Sequence, residues 1–100
     1  MTYHTIDECA ARLGVSRRTI ERHIAAGRLR TVRLSQRRLG VTAESLREML
    51  GTAEYLRLFR GDRIADAYET LQEATDALAP IHPDLAQRVA QAVETLLDGG

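Results

Sequence analysis

The stretch from Ala10 to Ile24, Ala-Ala-Arg-Leu-Gly-Val-Ser-Arg-Arg-Thr-Ile-Glu-Arg-His-Ile, constrains this chain more than any other. Gly14 suits the left-handed conformation that stops a helix, and Ser16 then offers a side-chain oxygen to cap a new one. Only a tight turn fits between them. Upstream, Thr5-Ile6-Asp7-Glu8 has the form of a capping box, and its two acids suit the first turn of a helix. This predicts a first helix from Ile6 to Leu13, with Ile6, Ala10 and Leu13 on one face and Cys9 beside them. A second helix is predicted from Arg17 to Ala26, with Ile20 and Ile24 turned to the core and Gly27 as its stop.

Beyond Leu29 the period changes. Val32 and Leu34 alternate with Thr31 and Arg33, and Leu39 and Val41 alternate with Arg38 and Gly40, as strands require. With Ser35-Gln36-Arg37 as the loop, residues 29–41 form a two-stranded wing with an arginine-rich tip. Thr42 can cap a third helix, Ala43 to Leu50, with Leu46, Met49 and Leu50 inward, and Gly51 marks a joint. The second half is helical. Thr52 to Phe59 forms one segment, and Gly61-Asp62 is a weak point. Ile64, Tyr68, Leu71, Thr75 and Leu78 then follow at spacings of four and three, which makes an apolar seam. Pro80-Ile81-His82-Pro83 interrupts the helix, and Pro83 starts another. The last helix carries Leu85, Val89, Val93 and Leu96 on one stripe and ends at Gly99-Gly100. The two long helices form an antiparallel hairpin. The expected division is residues 1–51 as one domain and residues 52–100 as a helical hairpin that mediates self-association.

Charge separates the halves. Residues 1–50 carry ten Arg against five acids, a net charge of +5; residues 51–100 carry four Arg against nine acids, a net charge of −5. Between 17 and 38 there are eight Arg and one acid, Glu21. Such asymmetry points to a basic binding module joined to a segment with another task. All the cations are Arg, the better fork for phosphate and guanine. Enzymatic chemistry finds no support. There is no Gly-rich phosphate loop and no motif for a Ser/His/Asp or Cys/His arrangement, and Cys9, His4, His23 and His82 lack ligand spacing. Neither a cofactor nor a metal is expected. One cysteine forms no intrachain disulfide, no stretch is apolar enough to span a membrane, and no signal-peptide pattern opens the chain, so the expected setting is the cytoplasm.

On the second helix, a core direction midway between Ile20 and Ile24 puts Arg22 opposite, with Arg18 and Ala25 near that outer face and Thr19 and Glu21 flanking it. Arg18 and Arg22 can each hold a guanine through two hydrogen bonds. Thr19 can touch a thymine methyl, and Glu21 can accept from cytosine. Arg17 lies at the end of the helix that meets phosphate. The wing residues Arg33, Arg37 and Arg38, with Arg28 and Arg30 before them, suit phosphate or minor-groove contact.

Tyr3 to Leu50 resembles the excisionase-type helix-turn-helix domain of the MerR-like winged-helix superfamily. The resemblance rests on Ala10, Gly14 and Ile20 at their mutual spacing, on Gly14-Val15-Ser16-Arg17-Arg18-Thr19-Ile20, on Ala26-Gly27-Arg28-Leu29, and on the wing leading to Thr42-Ala43-Glu44-Ser45-Leu46. It implies a mainly α protein: a winged helix-turn-helix of three helices and a two-stranded wing, followed by the antiparallel hairpin. It further implies docking of the second helix in the major groove and of the wing on the neighbouring minor groove. The expected contacts to double-stranded DNA are Ser16, Arg17, Arg18, Thr19, Glu21 and Arg22 from the helix, and Arg28, Arg30, Arg33, Arg37 and Arg38 from the wing. The expected self-association residues, read from the apolar spacing, are Ile64, Tyr68, Leu71, Leu78, Leu85, Val89, Val93 and Leu96, in a homodimer or a higher homo-oligomer. The family includes transcription regulators and phage excisionases, so the transcription machinery or a recombinase is a further expected partner. Phage terminase small subunits use a similar domain in rings, and an adaptor whose basic face meets an acidic protein is the reading from another class. The run Gln36-Arg37-Arg38-Leu39-Gly40 lacks the aromatic that usually accompanies the wing arginines, and the acidic second half is not part of a minimal excisionase.

Overall fold

A computed structural model describes residues 2–98. In chain order it contains β1 (Tyr3–Thr5), α1 (Ile6–Leu13), α2 (Arg17–Ala25), β2 (Thr31–Ser35), β3 (Arg38–Thr42), α3 (Ala43–Leu50), α4 (Thr52–Phe59), α5 (Asp62–Leu78) and α6 (Pro83–Asp98). The expected architecture is observed, with one strand more. The end of the last helix at Gly99-Gly100 lies outside the described residues.

The two-helix unit forms as its caps dictate. The Thr5 hydroxyl accepts from the Glu8 N–H at 3.0 Å, and the Ser16 hydroxyl accepts from the Thr19 N–H at 3.2 Å. Between them Gly14 takes φ +70°, and the Val15 N–H closes onto the Ala10 carbonyl at 3.0 Å. A side chain in that conformation costs about 1–2 kcal/mol. The capping box at Thr5 is half formed: the Glu8 carboxylate meets the His4 ring at 3.2 Å. α1 presents Ile6, Cys9 and Ala10 to the core, and α2 presents Ile20, which is fully buried.

The sheet has the order β1-β3-β2 and is antiparallel throughout. β1 pairs His4 with Val41, a pairing that three residues could not announce through any period. It brings Tyr3 against Gly40, where an added Cβ would stand 2.9 Å from the Tyr3 ring, so glycine at 40 permits this approach. The wing loop is shorter than Ser35-Gln36-Arg37. An irregularity between Arg33 and Ser35 carries Leu34 as an extra residue, so that Ser35 pairs with Arg38 and the turn contracts to Gln36-Arg37.

Leu29, Val41, Leu46 and Leu56 complete the fully buried centre, and Tyr55 and Ala65 belong to the same cluster. α4 therefore packs against the basic half. α5 and α6 form the antiparallel hairpin, and Tyr68 and Leu97 reach back onto the core. The result is elongated, 50 × 23 × 23 Å. Within the hairpin the buried rows take only part of the expected seam. Ala65, rather than Ile64, is fully buried, and Ala86, rather than Leu85, is 4% exposed. Tyr68, Leu78 and Val89 are half-buried and Val93 is buried. Ile64 and Leu71 remain 42% and 43% exposed, and Leu85 and Leu96 44% and 76%. Ala65 joins the core cluster beside Tyr55 and Leu56 of α4, and Ala86 is buried on α6.

One buried hydroxyl ties the wing to α3. Ser45 Oγ accepts from the Arg30 N–H at 3.1 Å and from the Thr42 hydroxyl at 2.8 Å, and it donates to the Thr42 carbonyl at 2.9 Å. Ser45→Ala removes all three bonds and leaves the Arg30 N–H without its partner. The expected cost is about 1–3 kcal/mol of unfolding free energy, read from a denaturant titration at unchanged slope.

Candidate nucleic-acid interface

Helix α2 owes its orientation to Ile20, fully buried, and Ile24, packed against the core. Arg17, Arg18, Glu21, Arg22 and Ala25 are exposed, and Thr19 is half-buried. The first turn of α2 contains no acid, so nothing there offsets the positive end of the helix dipole.

The expected contact residues have different local partners. Ser16 is a cap, and its hydroxyl also meets the Thr19 hydroxyl at 3.0 Å. Arg17 is clamped: one nitrogen donates to Asp7 in α1 at 2.6 Å and another to Glu21, one turn on, at 3.2 Å. The carboxylates raise the pKa of Arg17, first through the Asp7 hydrogen bond, and so hold it charged. Glu21 is engaged with Arg17 along the same helix. Among the described residues, Arg18 and Arg22 have no side-chain hydrogen bond or ion pair, and they are the open donors of α2.

Beyond α2, the Arg28 Nε donates to His23 Nδ1 at 2.8 Å, which makes His23 a support for the turn after the helix. Arg30 is turned to α3, with Glu48 at 2.9 Å and Glu44 at 3.8 Å. Its hydrogen bond lowers the Glu48 pKa and raises its own. In the wing, Arg33 donates to the Gln36 carbonyl at 3.1 Å and braces the tip. Arg37 and Arg38 are exposed and, among the described residues, without a side-chain partner. The structure thus leaves Arg18, Arg22, Arg37 and Arg38 open, holds Arg17, Arg28 and Arg33 in place, and directs Arg30 away to α3.

Two supports escaped the sequence. Asp7 meets Arg17 across the turn, ten residues away, at a separation that no helical spacing signals. His4 is held by Glu8 and by the Tyr55 hydroxyl, 2.8 Å from Nε2, and its ring lies 4.4 Å from that of Phe59, so it joins β1, α1 and α4. Cys9 has no access to solvent, and burial, then the charge of Glu8, push its thiol up to about 11, which keeps it unreactive at neutral pH. No helix among the described residues is long and apolar enough to cross a membrane.

A protein-family model described as a helix-turn-helix domain matches residues 5–54, half of the chain, from the cap of α1 into α4. Neither a curated protein nor a solved structure matches at a significant level.

The Arg17 clamp generates a prediction. Asp7→Asn weakens the stronger of its two carboxylate contacts and frees Arg17 for phosphate. Affinity for double-stranded DNA is then expected to rise, with a salt dependence steeper by up to ~0.9 log unit per log unit of salt. Fluorescence anisotropy across a salt series measures both. An unchanged slope would place Arg17 away from the phosphates.

Proposed function

The chain belongs to the helix-turn-helix domain family, a family of excisionase-like DNA-binding domains, and from that premise we propose that it is a sequence-specific double-stranded DNA-binding protein without a catalytic step. In the cell it acts as a small transcription regulator or as an excision factor of a mobile element, with the transcription machinery or a recombinase as its protein partner. The observation that carries this reading is the pair of open arginines on α2. Arg18 and Arg22 are four residues apart, so they project from one helix face at neighbouring positions, and that face lies away from the buried Ile20. Each can grip the O6 and N7 of a guanine in the major groove. The open wing residues Arg37 and Arg38 supply phosphate or minor-groove contacts, which add affinity without sequence preference.

The two kinds of contact respond differently to substitution. Arg22→Ala is expected to lose about 1–3 kcal/mol on the preferred site and to relax preference at one base pair. Arg37→Ala should weaken all sequences alike and flatten the salt dependence by ~0.9 log unit per log unit of salt. Selection of bound duplexes from a random library, followed by mobility shifts of the selected and scrambled sites across a salt series, reads both. If no duplex is retained even at low salt, the DNA-binding proposal fails.

A further inference from the structure

The wing has two unlike faces. Side chains alternate along a strand, and on β3 Leu39 and Val41 turn to the core, so Arg38 and Gly40 belong to the opposite, outer face. Val32 stands across from Gly40 on β2 and shares that face. From the other flank β1 sends Tyr3 onto it: an added Cβ at Gly40 would lie 2.9 Å from the Tyr3 ring and 3.2 Å from its Cβ, and Gly40 is itself buried. The Tyr3 side chain is nonetheless 47% exposed, and among the described residues its hydroxyl has no hydrogen bond. Arg38, one of the open arginines, holds the next position along β3 on the same face. The inner face differs. Its arginine, Arg33, stands across from Leu39 and is spent on the Gln36 carbonyl. None of the three strands contains an acid.

We infer that Tyr3 is a DNA contact of the wing: beside Arg38 it takes the sugar–phosphate backbone of a duplex, with its ring against a deoxyribose and its hydroxyl donating to a phosphate oxygen. This rests on the double-stranded DNA binding proposed for α2 and the wing, and it adds a residue that lies outside the family match at 5–54. Three features select this occupant. The outer face carries a cation and no carboxylate, which suits a polyanion. A phenol has an apolar body and a polar tip, which fit the sugar and the phosphate together. The face also runs on from the open Arg37 at the tip, so one backbone laid along the wing passes Arg37, Arg38 and Tyr3 in turn. Tyr3 and Val32 alone offer too little apolar area for a stable protein partner. The phenol is uncharged and touches no base, so it adds affinity without releasing a counterion and without sequence preference.

Two measurements on the full chain test this. Tyr3→Phe keeps the ring on Gly40 and removes only the hydroxyl. Affinity for a duplex should fall roughly two- to tenfold, the worth of one hydrogen bond, and equally for selected and scrambled sequences. The salt dependence should keep its slope, because no charge is lost. In the second measurement the wild-type chain is treated with tetranitromethane, which nitrates accessible phenols, and its peptides are followed by mass spectrometry. A saturating duplex should slow nitration of Tyr3 several-fold and leave Tyr68 on α5 as it was. If the ring only covers Gly40, Tyr3→Phe binds as the wild type does and the duplex leaves the Tyr3 rate unchanged. Either result overturns the inference, while retention of the duplex by the wild type upholds DNA binding. A flatter salt slope in Tyr3→Phe overturns it as well, since Tyr3 then acts through Arg38. A wild-type chain that retains no duplex at low salt overturns both.

Discussion

The buried hydroxyl of Ser45 holds together the part of the molecule on which everything else is mounted. Arg30 precedes β2 and Thr42 ends β3, so Ser45 grips both feet of the wing at once and joins them to the first turn of α3. The Thr42 N–H also bonds the Arg30 carbonyl, and the Ala43 N–H bonds the Thr2 carbonyl, which anchors β1 beside the same junction. A two-stranded ribbon is marginal in water by itself. This one is clamped at its base, paired along β3 by a third strand, and backed by Val41 and Leu46 in the core. Its tip can therefore carry arginines without any packing of its own.

The charge pattern of the basic half becomes sharper in three dimensions. Its five acids do not spread over ten arginines. Asp7 and Glu21 meet Arg17, Glu44 and Glu48 meet Arg30, and Glu8 meets His4. Two arginines absorb four carboxylates, and Arg18, Arg22, Arg37 and Arg38 keep their donors. Exposed pairs of this kind contribute little to stability. Their effect is to sort the cations into those that position and those that remain available.

Much of this was legible because local chemistry decided it. The caps at Thr5, Ser16 and Thr42, the stop at Gly14 and the change of period after Leu29 each fix their element within a few residues. β1 was not legible, because three residues have no period and their pairing partner lies far along the chain. Half of the hairpin seam was legible, since Tyr68, Leu78, Val89 and Val93 are half-buried or buried, but spacing in sequence ranks leucine and isoleucine above alanine, whereas the buried residues at 65 and 86 are alanines. Among the candidate contacts, sequence could name Arg17 and Glu21 as neighbours on one helix but could not supply Asp7. Arg30 read as a member of the basic run, and its pairing with Glu44 and Glu48 of α3 had no local signal. The meeting of His4 with Tyr55, which lie one residue beyond either end of the helix-turn-helix match, had no signal in either neighbourhood.

Arg57 lies near the end of α4 and reaches across to α5. Its guanidinium spans the break at Gly61, where φ is +103°, and takes Asp62, Asp66 and Glu69 along one stripe of α5. These pairs bridge the bend between α4 and α5, beside Ala65 and Tyr68, which pack the start of α5 onto the core. The bend fixes the direction in which the long arm points away from the helix-turn-helix head, and so where the end of that arm stands relative to α2. A single cation at the root of the arm thereby bears on the outline of the whole molecule, although it lies outside the basic half.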